Sequence, residues 1–150
     1  MTRERLYLFD TTLRDGQQTQ GVDFSVADKI RIATTLDDLG LDYIEGGWPG
    51  ANPTDSEFFR QAPQTRARFL AFGMTKRAGR SAANDDVLAE VVNAGTQTVC
   101  LVGKSHDFHV EKALGITLDE SLESIEEMLC IEERLASAIR QMPDRVSDVS

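Results

Sequence analysis

Cysteine is scarce in this chain of 150 residues: Cys100 and Cys130 are the only two. Two thiols make neither a disulfide framework nor a zinc site, and Cys100, inside an apolar run, reads as a small core residue. Long apolar runs are missing too, since nothing approaches the ~18 residues of a membrane span. Arg3, Glu4 and Arg5 precede an apolar run of four residues, Leu6–Phe9, which is too short for the core of a signal peptide. The expectation is an unexported, cytoplasmic protein. Positive charge is in deficit, with 16 Lys and Arg against 25 Asp and Glu, a net charge of -9. A surface of that sign repels nucleic acid and anionic membrane, so no nucleic acid and no membrane is expected as a partner. What remains, 41% hydrophobic and 27% charged residues, is ordinary for a globular protein and excludes a disordered, collagen-like or coiled-coil chain.

The residues that are present alternate between strand and helix patterns four times. Residues 5–10 (RLYLFD) form a short apolar run. Ser25 opens a helix with Asp28 at its third position, and Val26, Ile30, Ala33, Leu36 and Leu39 recur at helical spacing until Gly40. Residues 41–46 (LDYIEG) are the second strand candidate. Asn52-Pro53 starts a helix that runs to about Gln61, and residues 68–73 (RFLAFG) make a third strand. Asn84 is the expected cap of a third helix, which contains Leu88 and Val91 and stops at Gly95. Residues 98–103 (TVCLVG) are a fourth strand. Thr117 and Glu120 form a capping-box pattern for a fourth helix, with a stripe through Leu118, Leu122, Ile125 and Leu129 and an end at Pro143. Alternation of this kind implies an α/β fold with a parallel sheet. By length, about four βα units fit a small doubly wound sheet of four or five strands better than half of an eight-unit barrel, which takes about 250 residues, and periodicity alone does not decide between them.

Chemistry concentrates in residues 9–18 (FDTTLRDGQQ), directly after the first strand. Catalytic groups of βα folds collect at the carboxyl ends of strands, where this segment falls. Arg14 is a permanent cation suited to stabilising a developing oxyanion. Asp15 is a hard oxygen ligand suited to a divalent metal. Gly16 lets the backbone turn beside them. The same pair could equally be a surface salt bridge.

The motif Asp10-Thr11-Thr12-Leu13-Arg14-Asp15-Gly16-Gln17-Gln18 resembles the first-strand signature of the pyruvate-carboxyltransferase-type barrels. That family includes 2-isopropylmalate, homocitrate and citramalate synthases and HMG-CoA lyase. Residues 18–25 (QTQGVDFS) and 43–53 (YIEGGWPGANP) look like the citramalate synthase branch, and the likeness covers about residues 5–128. It implies the N-terminal half of a TIM (β/α)8 barrel and a Claisen-type condensation of acetyl-CoA with pyruvate to citramalate, in isoleucine biosynthesis. It also implies a divalent metal cation (Mg, Mn or Zn), acetyl-CoA as co-substrate and a homodimer in the full-length form. By the same resemblance, Arg14 matches the catalytic arginine and Asp15 the metal-binding carboxylate. Gln18, Glu45 and His109 are the candidate substrate-binding residues. Gln18 closes the motif, and it either bonds ligand or structures the loop. Glu45 either points into the barrel or makes a structural ion pair. His109 follows the fourth strand, where pocket residues are expected.

Two features of the family have no counterpart. The metal site lacks a His-x-His pair, since His106 and His109 are spaced H-x-x-H, and no glutamate from a fifth strand is present. The expected organisation is a partial barrel over residues 1–128 with a divergent helical tail over 129–150. Truncation, frameshift, a cloned fragment and a natural half-barrel subunit stay open as explanations, and inactivity of the chain alone is expected. Two other readings stand beside the first: an isopropylmalate or homocitrate synthase using another 2-oxo acid, and a non-catalytic half-barrel acting through self-association.

Overall fold

The alternating pattern folds as β1 (Phe9–Asp10), α1 (Val26–Asp38), β2 (Tyr43–Gly47), α2 (Pro53–Gln61), β3 (Arg68–Met74), α3 (Asp86–Val92), β4 (Thr98–Val102), α4 (Asp107–His109) and α5 (Leu118–Gln141). The structure, a computed structural model, describes residues 4–141, with side chains described to residue 129. All strand pairs are parallel and the spatial order follows the chain, β1-β2-β3-β4. The carboxyl ends of the four strands therefore share one edge of the sheet. The chain divides into two compact units between Val102 and Gly103.

In the first unit each helix start is set locally. Ser25 Oγ accepts from the Asp28 amide, and the Asp28 carboxylate accepts from the Ser25 amide, which completes a capping box. Asn52 Oδ1 accepts from the Thr54 amide at 2.9 Å, with Pro53 in the first helical position. The cap of α3 is Asp85 rather than Asn84. The Asn84 side-chain amide turns back to Ser81 Oγ at 2.9 Å, and Asp85 Oδ1 accepts from Val87 and Leu88 instead.

Strand β1 is shorter than its apolar run. Only Phe9 and Asp10 pair, with Tyr43 and Ile44, because β2 begins at Tyr43 and an edge strand has no second neighbour. Leu6, Tyr7 and Leu8 are accordingly exposed. The core between sheet and helices holds Leu13, Ala33, Ile44, Phe58 and Ala67. Phe58 meets Phe59 and Phe69 edge-on, with centroids 5.4 and 5.5 Å apart. Gly46 lies so close beneath these rings that a Cβ there would stand 2.8 Å from Phe58 Cε1.

In the second unit the expected capping box forms. The Thr117 amide donates to Glu120 at 2.9 Å, and the Glu120 amide donates to Thr117 Oγ1 at 3.2 Å. The buried face of α5 differs from the expected stripe. Leu118, Leu122 and Leu129 are exposed, whereas Ser121, Ser124 and Met128 are buried. Ser124 hides its hydroxyl inside the helix by donating to the Glu120 carbonyl at 2.7 Å, which removes most of the penalty of burying it. The expected end at Pro143 lies outside the described residues. Among the described residues no helix is long and apolar enough to cross a membrane.

Candidate functional site at the carboxyl ends of β1 and β2

The segment after β1 folds into a tight, self-bonded turn. Thr11 O accepts from the amides of Arg14, Asp15 and Gly16 at 3.1, 2.8 and 3.1 Å. The Asp10 carboxylate holds the turn open at its start, accepting from the Thr12 amide at 2.8 Å and the Thr12 hydroxyl at 3.0 Å. Leu13 drops into the core and is fully buried. Arg14 and Asp15 follow it, half-buried and exposed.

Arg14 is gripped on three sides. Its Nε donates to Glu45 Oε2 at 2.6 Å, its Nη1 donates to Asp15 Oδ1 at 3.0 Å, and its Cζ sits 4.1 Å from the centroid of Phe72. Glu45 is 1% exposed, so its charge is matched by this contact, while the Asp15 side chain is 63% exposed. Cys100 on β4 pairs in register with Phe72 of β3. Burial first, and then the Glu45 charge, push its thiol above the ordinary value.

Beneath the turn is a second ionic centre. Lys29 of α1 and Asp55 of α2 form a buried ion pair, their side chains 0% and 2% exposed. Lys29 Nζ also donates to the Gly46 carbonyl at 2.9 Å. Asp55 Oδ2 accepts from the Trp48 amide at 2.7 Å, and Gln17 Nε2 reaches both Asp55 oxygens at 3.2 Å. Burial pushes the Lys29 ammonium below its ordinary value, with Asp55 opposing that shift. Gly47 makes the approach possible. Its φ is 148°, and a Cβ there would fall 2.4 Å from Asp55 Cγ.

A cavity of about 330 Å³ opens between the two loops. Arg14, Gln17, Gln18, Trp48, Asn52 and Asp55 are among its lining residues. Trp48 packs edge-on against Phe72 at 5.3 Å, and its buried Nε1 has no partner among the described residues. Among the described residues no group of three His, Cys, Asp or Glu could hold a metal ion.

Comparison with known proteins assigns the chain. A model of the HMGL-like family matches residues 5–148. The chain belongs to the HMGL-like family. The (R)-citramalate synthase of Streptomyces coelicolor is 53% identical over 123 residues, covering 79% of this chain and 23% of that protein. The (R)-citramalate synthase of Aquifex aeolicus is 49% identical, with 83% of this chain and 24% of that protein covered. The 2-isopropylmalate synthase 1 of Caldanaerobacter subterraneus subsp. tengcongensis is 36% identical, with 84% and 31% covered. The chain thus spans about a quarter of the length of the citramalate synthases it matches. Among solved structures, the HMG-CoA lyase of Bacillus subtilis superposes with a TM-score of 0.67 at 18% identity, covering 88% of this chain and 44% of that one. This shows the fold, an α/β fold of consecutive βα units that forms part of a barrel.

In this HMGL-like chain the structure brings Arg14, Asp15 and Glu45 into one contact network, and Gln18 lines the adjoining cavity. Glu45 forms an ion pair, and its partner is Arg14 of the same network. His109 lies in the second unit at the end of α4, exposed, its ring 5.3 Å from His106. Sequence reasoning missed Gln17, Lys29 and Asp55. One signal was available for Lys29. It falls three residues after Val26 and four before Ala33, on the apolar face of α1, where a lysine must find a buried partner.

Proposed function

We propose that this chain carries part of the active site of a citramalate synthase, an acyltransferase that condenses acetyl-CoA with pyruvate on the route to isoleucine. The observation that carries the reading is Arg14, fixed by Glu45 and Phe72 beside a cavity at the strands' carboxyl ends. Similarity to (R)-citramalate synthases at 44–53% identity supports pyruvate as the 2-oxo acid. A cytoplasmic homodimer in the full-length form belongs to the same proposal.

The chemistry follows from the donors. A guanidinium has five N–H groups, and the two carboxylates engage Nε and Nη1. The donors left over can hold the keto oxygen of a 2-oxo acid and steady it as it becomes an alkoxide. Because Arg14 is held before substrate arrives, little reorganisation accompanies that charge. Glu45 is committed to Arg14, so it is a poor candidate for removing the methyl proton of acetyl-CoA. Asp15 contributes one ligand toward a divalent cation (Mg, Mn or Zn), whose chemistry when bound would be to polarise the keto group. Gln18 can bond the substrate carboxylate from the cavity wall. His109 enters as a substrate-binding candidate on resemblance alone.

Calorimetric titration of pyruvate into the chain, in Mg²⁺ or Mn²⁺ buffer, tests the reading. Arg14→Gln is expected to weaken binding at least about tenfold, equivalent to about 1.4 kcal/mol. Equal affinity of the two forms would refute it. Tighter binding of 2-oxoisovalerate than of pyruvate would move the assignment to isopropylmalate synthesis, the activity named for the 36% identical relative. The chain alone is expected to show no acetyl-CoA-dependent turnover.

A further inference from the structure

We infer that Asp55 and Gln17 are positioning residues, and that the buried Lys29–Asp55 pair is the fixed post to which the Arg14 turn is tethered. The inference rests on the acyltransferase reading only for what the positioned turn does. The tether itself is read from the geometry.

Three elements converge on one carboxylate. Lys29 brings α1, the Trp48 amide brings the end of β2, and Gln17 brings the turn after β1. Asp55 is itself the third residue of α2, whose start is fixed by the Asn52 cap. Lys29 also donates to the Gly46 carbonyl, and its ammonium lies 5.6 Å from the Phe58 centroid, so the pair is seated in the core. Gly47 has no Cβ to hold the carboxylate away.

Gln17 is the one member that belongs to the turn. It follows Arg14 by three residues, and the intervening amides of Asp15 and Gly16 both bond Thr11 O. The turn is held by Leu13 in the core, by Thr11 O at its base and by the Asp10 carboxylate at its start. Gln17 adds the hold at its far end, to Asp55, and that hold limits its rotation. Rotation is what decides whether Arg14 Nε meets Glu45 and whether the guanidinium carbon sits over Phe72. A charged acceptor suits this duty, because a hydrogen bond to an ionised partner is stronger than one between neutral groups. Lys29 stands against the same carboxylate as its buried counter-charge.

The test uses Gln17→Met, which keeps the length and removes the donor, with Gln20→Met, an exposed neighbour, as control. Amide hydrogen exchange is read at Arg14, Asp15 and Gly16, with Leu70, Ala71 and Phe72 of β3 as internal reference. The expected result is exchange about tenfold faster at the turn in Gln17→Met, with β3 and the Gln20→Met control unchanged. Unchanged exchange at the turn overturns the tether. A rise shared by turn and β3 also overturns it, because the role would then be global stability. Pyruvate titration in Mg²⁺ buffer separates the two readings. Weaker binding by Gln17→Met, with faster exchange, supports positioning for binding. If the unaltered chain binds no pyruvate, the acyltransferase reading falls, and the exchange result still decides the tether.

Discussion

Replacing Asp55 by leucine should destabilise this protein more than any other single change at the site. The perturbation strands the Lys29 ammonium, fully buried, beside the Gly46 carbonyl and the Phe58 ring. Breaking a buried pair from one side typically costs about 3–5 kcal/mol, because the remaining charge keeps its desolvation penalty. A domain holds about 5–15 kcal/mol in all, so a large share of the stability is at stake. With a urea slope of about 2 kcal/mol per molar, a loss of 4 kcal/mol moves the midpoint down by about 2 M. Lys29→Met should cost less, since the orphaned carboxylate keeps the Trp48 amide and Gln17 as donors. The double variant Lys29→Met/Asp55→Leu removes both charges together and should recover most of the loss, to within about 1 kcal/mol of the original. Urea unfolding of all four forms at neutral pH completes the cycle. Losses below 1 kcal/mol for both single variants, adding up in the double, would refute the reasoning.

Three further outcomes follow from the same contacts. Gly47→Ala should behave like a milder Asp55 substitution, because its Cβ would sit 2.4 Å from Asp55 Cγ and drive the carboxylate off Lys29; thermal melting would show this as a fall of several degrees. Stability should fall on acidification from about pH 4 toward pH 2, with the sign set by lowered carboxyl values. Asp37 is lowered chiefly by the Ala67 amide, Asp42 by the Leu8 amide, and Asp28 reaches about 2 through Ser25. Each contributes stability above the ordinary value of 3.8 and loses it as pH drops through its own lower one, so Asp37→Asn should flatten the fall in urea midpoint. Cys100, whose thiol is raised by burial and by Glu45, should alkylate more slowly at pH 8.5 than a free thiol, and Glu45→Gln should speed it; peptide mass mapping reads the site.

Features that depend on neighbours in the chain could be read from the sequence. The caps at Ser25, Asn52 and Thr117 form as their spacing implied, because each involves residues no more than three apart. The third cap moved by one residue because Asn84 and Asp85 compete, and only the folded turn shows that Ser81 takes the Asn84 amide. The extent of β1 was illegible for a different reason. Its apolar run is continuous, but strand length is decided by where β2 starts. Arg14 and Asp15 were legible because nine consecutive residues carry them. The Lys29–Asp55 pair joins residues 26 apart, and nothing local to Asp55 distinguishes it from an ordinary acid in the first turn of a helix. Glu45 sat between the two, since strand alternation gave it two possible faces but not its partner.

The burial of Leu13 has a consequence for how the site can operate. A segment that carries chemistry on one side and is plugged into the hydrophobic interior on the other cannot swing as a gate. Heating should then extinguish ligand capture and tertiary packing in a single cooperative event, with no earlier stage in which the fold survives and the recognition surface alone has melted.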